Sequence, residues 1–308
     1  MATRRVAIRF FICCAISAFS TFAVCEVAHS AETSPADTTL AVVVMDPLAK
    51  VLSCPCVQGY AQRDYSRLAK YLESRLGRPV KLIFAESLAK GTKETNGRAD
   101  LVIGKHSVVL FDANRLQRKL LPVAALSGKD GLTTQSGLIV VRTEDPAQSV
   151  ADLKSHRLIF GPAECDEKNA AAVALFKSRG VALPTELETV AGCEEGAVAI
   201  LEMPAGTYGA AVISSYAKPL LEGCGTVPKG AIRVVGETQP VPFVEAFVAA
   251  DVDADLKNQL TTALLQAVSS APELLIALET QRGFVDVGSG PQETRSTADA
   301  ANVGSKKK

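Results

Sequence analysis

The chain has 308 residues, 47% of them hydrophobic, enough for two domains with a substantial core. Its 33 basic residues balance 33 acidic ones, so no whole-protein field draws it to nucleic acid or to an anionic membrane, and both partner classes are excluded.

At the start, Arg4, Arg5 and Arg9 precede an apolar run from Phe10 to Val24 and the small residues Ala28, Ser30 and Ala31. This is the pattern of a secretory signal peptide over 1–31, because the apolar run is short of the ~20 residues a membrane span needs. Export places the mature chain in the periplasm or outside the cell, where thiols usually end as disulfides or metal ligands. Five cysteines remain after cleavage, Cys54, Cys56, Cys165, Cys193 and Cys224, and an odd count leaves at least one without a partner inside the chain.

In chain order, "LAVVVMDP" (40–47) reads as a buried strand and "DYSRLAKYLESRLGRP" (64–79) as an amphipathic helix. Tyr65, Leu68, Leu72 and Leu76 mark the apolar face of that helix, Asp64 is its cap, and Gly77 with Pro79 ends it. Strands follow at 80–86, 99–104 and 120–128. The grammar restarts near Gly137 with the strand "GLIVVRTEDP", a short helix capped by Ser149, the strand "RLIFGP" and a helix over 166–179 that Gly180 stops. "LETVAG", the helix "EEGAVAILE", "TYGAAVISS" and "IRVVGE" continue the alternation. "PFVEAFVAAD" is another strand, and helices in "DADLKNQLTTALLQAVSS" and "PELLIALETQRG" close the fold before a solvated tail over 287–308. Apolar strands alternating with helices predict mostly parallel, helix-covered sheets.

The segments "YSRLAKYLESRLGRPVKLIF", "GRADLVIGKHSVVL", "SVADLKSHRLIFGP", "YGAAVISS" and "PFVEAFVAADVDADLKNQLTTALL" resemble the phosphate/phosphonate-type periplasmic solute-binding proteins of ABC transporters over roughly 40–285. The resemblance implies the type II periplasmic-binding-protein fold: two α/β lobes joined by crossover strands, with ligand in the cleft between them. It assigns 38–128 plus 240–286 to one lobe and 129–239 to the other, and implies a small-molecule ligand, an ABC permease partner in the inner membrane, and a monomer. In phosphonate-binding members the turn after the "LIFG" strand carries small hydroxyl residues and Gly that receive the anion at a helix N-terminus. Here that turn reads Pro162, Ala163, Glu164, Cys165, Asp166, Glu167. Three carboxylates in place of hydroxyls remove donors and add repulsion, so phosphonate is not the expected ligand.

Strand ends locate the cleft. They offer Gln58, Tyr60 and Arg63 from the first loop, and Lys105, His106 and Ser107 after the third strand. Thr133 and Thr134 come from the crossover, and Glu164, Asp166, Glu167, Glu194, Ser214 and Ser215 from the second lobe. Asp166 is expected to cap its own helix, so that the protein supplies its own anion at the turn and leaves Glu164 or Glu167 to face a neutral, zwitterionic or cationic ligand. His156 is expected at the surface. Disulfide candidates are Cys165, Cys193 and Cys224, while Cys54 and Cys56 in "CPC" are candidates for a soft metal, the one cofactor left open. Such a Cys-based metal or redox protein on the same scaffold is the alternative to a solute receptor. No Ser-His-Asp spacing, "HExxH", phosphate loop or "CxxC" is present, so the chain reads as a binder rather than an enzyme.

Overall fold

In the computed structural model, residues 39–53 and 62–288 are described. Residues 1–38, with the expected signal peptide, residues 54–61, with Cys54, Cys56, Gln58 and Tyr60, and residues from 289 onward fall outside them. Among the described residues no helix is long and apolar enough to cross a membrane.

The first sheet is built on β1 (Leu40–Met45), whose six residues are all buried. Leu40, Val42 and Val44 pack into one core with Tyr65, Leu68 and Leu72 of α1 (Tyr65–Leu76). Val43 and Met45 enter a second core, with Leu88 of α2 (Leu88–Lys93) and Val109 of α3 (His106–Arg115). The strand's period of two therefore feeds two helix layers, which is why its sequence is apolar throughout rather than alternating. At α1 the Asp64 carboxylate accepts from Ser66 N at 3.0 Å, and Gly77 ends the helix at φ +64°, a conformation that favours glycine.

The remaining strands of this sheet are β2 (Val80–Phe84), β3 (Leu101–Lys105), β4 (Leu120–Leu126), β12 (Val244–Ala249) and β13 (Phe284–Val285), in the order β13-β4-β12-β3-β1-β2. A second sheet has the order β10-β6-β9-β7-β8, from β6 (Gly137–Arg142), β7 (Arg157–Phe160), β8 (Glu188–Thr189), β9 (Gly209–Ser214) and β10 (Ile232–Glu237). Its two faces carry separate cores, Ile139, Val141, Phe160 and Val212 on one side and Val140, Ile159, Ala211 and Ile213 on the other. The molecule is thus a two-lobed α/β structure, as the resemblance implies.

The sheets are mixed, which corrects the expectation of mostly parallel pairing. β1 runs parallel to β2 and β3, and β7 parallel to β8 and β9, but β12 is antiparallel to β3 and β4, and β6 antiparallel to β9 and β10. The reason lies in the crossover. A short ladder of β5 (Thr134–Gln135) and β11 (Val241–Pro242) carries the chain out of one sheet and back from the other. β6 and β12 follow these segments and enter each sheet from the end where its parallel strands leave, so Gly137 opposes Ser214 and Val244 opposes Lys105.

Local departures from the sequence reading are few. The helix expected over 166–179 is α4 (Ala170–Ser178), and its N-cap is Asn169, not Asp166. "LETVAG" contributes only the two residues of β8. The helix expected from Glu194 is α5 (Cys193–Leu201), which begins one residue earlier and takes in Cys193. His156 is inside, with its Nε2 3.1 Å from Asp145 Oδ1 and its ring against Tyr208; the buried carboxylate draws the imidazole inward.

Candidate functional site

The carboxyl ends of β1, β3, β7 and β9 meet at a seam between the two lobes, and at its centre is Glu167. Its side chain is 0% exposed. Oε1 accepts from Lys105 Nζ at 2.6 Å, across the seam, and from Ser214 Oγ at 2.6 Å, within its own lobe. Oε2 is buried with no hydrogen-bond partner. The backbone position is set by a glycine: a Cβ on Gly137 would sit 2.0 Å from Glu167 O, so the turn can lie against the start of β6 only because residue 137 lacks a side chain.

Around this pair the polar groups form a network. Ser214 N donates to Cys193 Sγ at 3.3 Å, and that thiol lies 3.6 Å from Ser214 Oγ. Ser107, in the first turn of α3, donates to Glu164 O at 2.7 Å and accepts from Asp166 N at 3.4 Å, which makes a second bridge between lobes. The N–H groups of Cys165 and Lys168 go to Pro162 O and Cys165 O, and that of Asn169 to Cys165 O. The turn therefore satisfies much of its own backbone, and the tethered anion is Glu167, not Asp166 acting as a cap. Glu167 faces inward to Lys105, which corrects its expected outward orientation; a lysine across the seam is a stronger partner for a buried carboxylate than any solvent-facing group.

Burial, the strongest influence on Lys105, lowers its pKa, but the charge of Glu167, with Cys165 and the hydrogen bonds to both, leaves it raised on balance. Burial pushes the Cys165 thiol up, against the opposing pull of Lys105 and Lys168. Tyr216 is held well above the ordinary tyrosine range, first by burial and then by Cys193 and Glu167.

Hollows open on either side of the seam. A cavity of about 510 Å³ is lined by Arg63, Thr134, Gln135, Ser215, Tyr216 and Phe243, among others. Tyr216 and Phe243 stack with centroids 5.1 Å apart and planes at 19°. Arg63 is buried, 2.9 Å from Asp46 through Nη1, and its guanidinium lies 5.7 Å from the Phe243 ring centroid. Tyr65 completes this second buried pair by donating to Asp46 Oδ2 at 2.6 Å. A smaller hollow of about 190 Å³ shares Leu48, Tyr216 and Leu220 with the first and adds Lys168, Cys193 and Glu194. A third, of about 460 Å³, is bounded by His106, Ser107, Glu164 and Asp166.

The residues expected in the cleft thus fall into four groups. Lys105, Glu167 and Ser214 form the seam cluster; Arg63, Thr134 and Ser215 face the cavity of about 510 Å³; Glu194 faces that of about 190 Å³; His106, Ser107, Glu164 and Asp166 face that of about 460 Å³. His106 is engaged by Glu245, Nδ1 to Oε2 at 2.6 Å. Thr133 is buried and its carbonyl receives Phe243 N at 3.0 Å. Gln58, Tyr60, Cys54 and Cys56 lie outside the described residues. Sequence reasoning missed Asp46, Gln135 and Phe243; the signals available were the acid ending "VVVMD" and the polar run "TTQS" at the restart of the grammar.

No disulfide joins Cys165, Cys193 and Cys224, which corrects that expectation. The Cys165 side chain is directed to Lys105, Cys193 to Ser214, and Cys224 to Leu221 O at 3.5 Å, three different destinations. Among the described residues no cluster of three or more His, Cys, Asp or Glu is arranged to hold a metal ion.

Residues 58–288 match the family described as ABC transporter, phosphonate, periplasmic substrate-binding protein. The chain belongs to this family. It is a periplasmic solute-binding component of an ABC uptake system, and this is a family of binding, not catalytic, proteins. Membership carries with it a small-molecule ligand and an ABC permease. No curated protein matches in sequence. Among solved structures, XAC2383 from Xanthomonas citri, bound to ATP, is similar with a TM-score of 0.61 at 18% identity, covering 80% of this chain and 90% of that one. PhnD1 from Prochlorococcus marinus, in complex with methylphosphonate, gives 0.59 at 14% identity over 83% and 94%. A binding protein component of an ABC phosphonate transporter from Pseudomonas aeruginosa gives 0.58 at 14% over 80% and 81%. At these identities the likeness is one of fold.

Proposed function

We propose that this family member receives a small neutral or zwitterionic solute and not a phosphonate or phosphate, with 38–128 plus 240–286 as one lobe and 129–239 as the other. The observation that carries the reading is the Glu167 carboxylate, fully buried and bonded to Lys105 and Ser214 at the turn where the family resemblance puts an anion. Lys105 and Ser214 spend their donors on that carboxylate, so a second anion at the turn finds neither free and forgoes charge-assisted hydrogen bonds worth about 1.5–3 kcal/mol each. The cavity lined by Arg63 and Gln135 adds no compensating charge. Arg63 is offset by Asp46, and Lys129 lies 3.0 Å from Glu279, so the walls are near balance.

Titration calorimetry with methylphosphonate and inorganic phosphate at neutral pH tests this. The expected result is no binding by the native protein, and a gain of anion binding in Glu167→Ser, where Lys105 loses its tethered partner and a hydroxyl replaces the carboxylate. Micromolar binding of methylphosphonate by the native protein overturns the proposal.

A further inference from the structure

Among the described residues, four side chains have buried polar atoms without a hydrogen-bond partner: Arg63, Gln135, His156 and Glu167. Gln135 stands apart because both its amide nitrogen and its amide oxygen are in this condition. It is 5% exposed and lines the cavity of about 510 Å³. Its main chain is already paired with Val241 in the crossover ladder, so strand formation accounts for the backbone and not for the side chain. A buried amide with neither function satisfied is costly, so Gln135 calls for a partner that the protein chain does not supply.

The surroundings define what that is. A glutamine amide presents donors and an acceptor side by side in one plane, and the group that answers both at once is another amide edge. Arg63, 2% exposed in the same cavity, adds one more donor, since its Nε is without a partner while Nη1 is spent on Asp46. The stacked rings of Tyr216 and Phe243 give the cavity a flat apolar wall. The charged residues at its edge, Lys129 with Glu279 and Asp130 with the Leu132 N–H, are already engaged, so no net field selects an ion.

We infer that Gln135 is a ligand-reading residue and that the solute carries a primary carboxamide or ureido group, which pairs with the Gln135 amide while its body lies against Tyr216 and Phe243. This rests on the reading above that the cleft binds a solute other than a phosphonate. It specifies a discriminating contact on the crossover ladder, away from the anion turn. A carboxylate in place of the carboxamide meets the Gln135 oxygen as acceptor against acceptor, which supplies the selectivity.

The test is calorimetry on the full mature protein with matched probes: nicotinamide against nicotinate, asparagine against aspartate, and citrulline against ornithine, with methylphosphonate in parallel. At least one carboxamide or ureido probe is expected to bind roughly tenfold or more tightly than its partner, as follows from one buried hydrogen-bond mismatch. Gln135→Met is expected to abolish that preference while leaving Tm unchanged or raised, because it removes an unsatisfied amide and keeps the side-chain length. If no amide or ureido probe exceeds its partner, if Gln135→Met keeps the preference, or if it lowers Tm as a structural role requires, the inference is overturned. Binding of methylphosphonate by the native protein instead overturns the parent reading, so the two failures are distinguishable.

Discussion

Two buried acid–base pairs lie at the strand ends, built from the same parts and serving different ends. In the first lobe Asp46 holds Arg63 at 2.9 Å and Tyr65 OH at 2.6 Å, partners no more than 19 residues away and part of one core. At the seam Glu167 holds Lys105 and Ser214, each at 2.6 Å, and Lys105 is 62 residues away in the opposite lobe. A buried ion pair is weak evidence for net stability, but removing one partner leaves a charge stranded. The difference is where the stranded charge can go. The partners within one lobe stay together whether or not the lobes part, whereas at a seam opening separates them and lets water reach both.

The largest expected effect follows for Asp46→Asn. Arg63 and Tyr65 lose their acceptor inside the core, at a cost of about 3–5 kcal/mol, read as a fall in Tm of roughly 10 °C. A loss no greater than that of Glu167→Gln would break the comparison. Glu167→Gln is expected to cost less, about 1–3 kcal/mol, because opening rehydrates Lys105. Small-angle scattering should show a larger radius of gyration for this variant and an unchanged one for Asp46→Asn below its melting transition.

Alkaline pH separates the pairs with no mutation. Lys105 has a raised pKa in the folded protein, so its pair contributes fully below the ordinary lysine value near ~10.4 and is lost as pH rises through the higher folded value. Arg63 is also raised, burial opposing and Asp46 with Tyr65 prevailing, and guanidinium stays charged throughout that range. Tyr65 is held well above the ordinary tyrosine range by burial and by Asp46, so it remains a donor. Scattering followed upward from pH 10 should therefore report seam opening in the native protein before the first lobe melts, and no further opening in Glu167→Gln. Simultaneous loss of both would show that the pairs are not independent. The exposed pair Glu86–Lys90 is the control, and Glu86→Gln is expected to leave Tm unchanged within error.

Much of the architecture was legible from residue periodicity. The apolar run of β1 and the Tyr65-Leu68-Leu72 stripe of α1 announce a strand between helix layers and a helix packed on it, because burial on both faces or on one stripe is a local property of the sequence. Strand direction was less so. β6 (GLIVVR) and β12 (VEAFVA) read as buried strands like their parallel neighbours, and only the crossover ladder reverses them.

At the site, the sequence by itself determined that carboxylates occupy the turn after β7 and that cysteines, hydroxyls and cations gather at strand ends. Which carboxylate becomes the internal anion was decided by tertiary structure. Asp166 and Glu167 are adjacent and chemically alike, and it is the close approach permitted by Gly137, with Lys105 and Ser214 waiting on two different strands, that buries one and leaves the other at the edge of a hollow. The separation of Cys165, Cys193 and Cys224 is likewise invisible in their spacing, since Cys165 and Cys193 are oriented by neighbours distant in the chain while Cys224 is held locally by Leu221 O. Local sequence sets what a segment can bury; partners brought together from both lobes set what each buried group must bind.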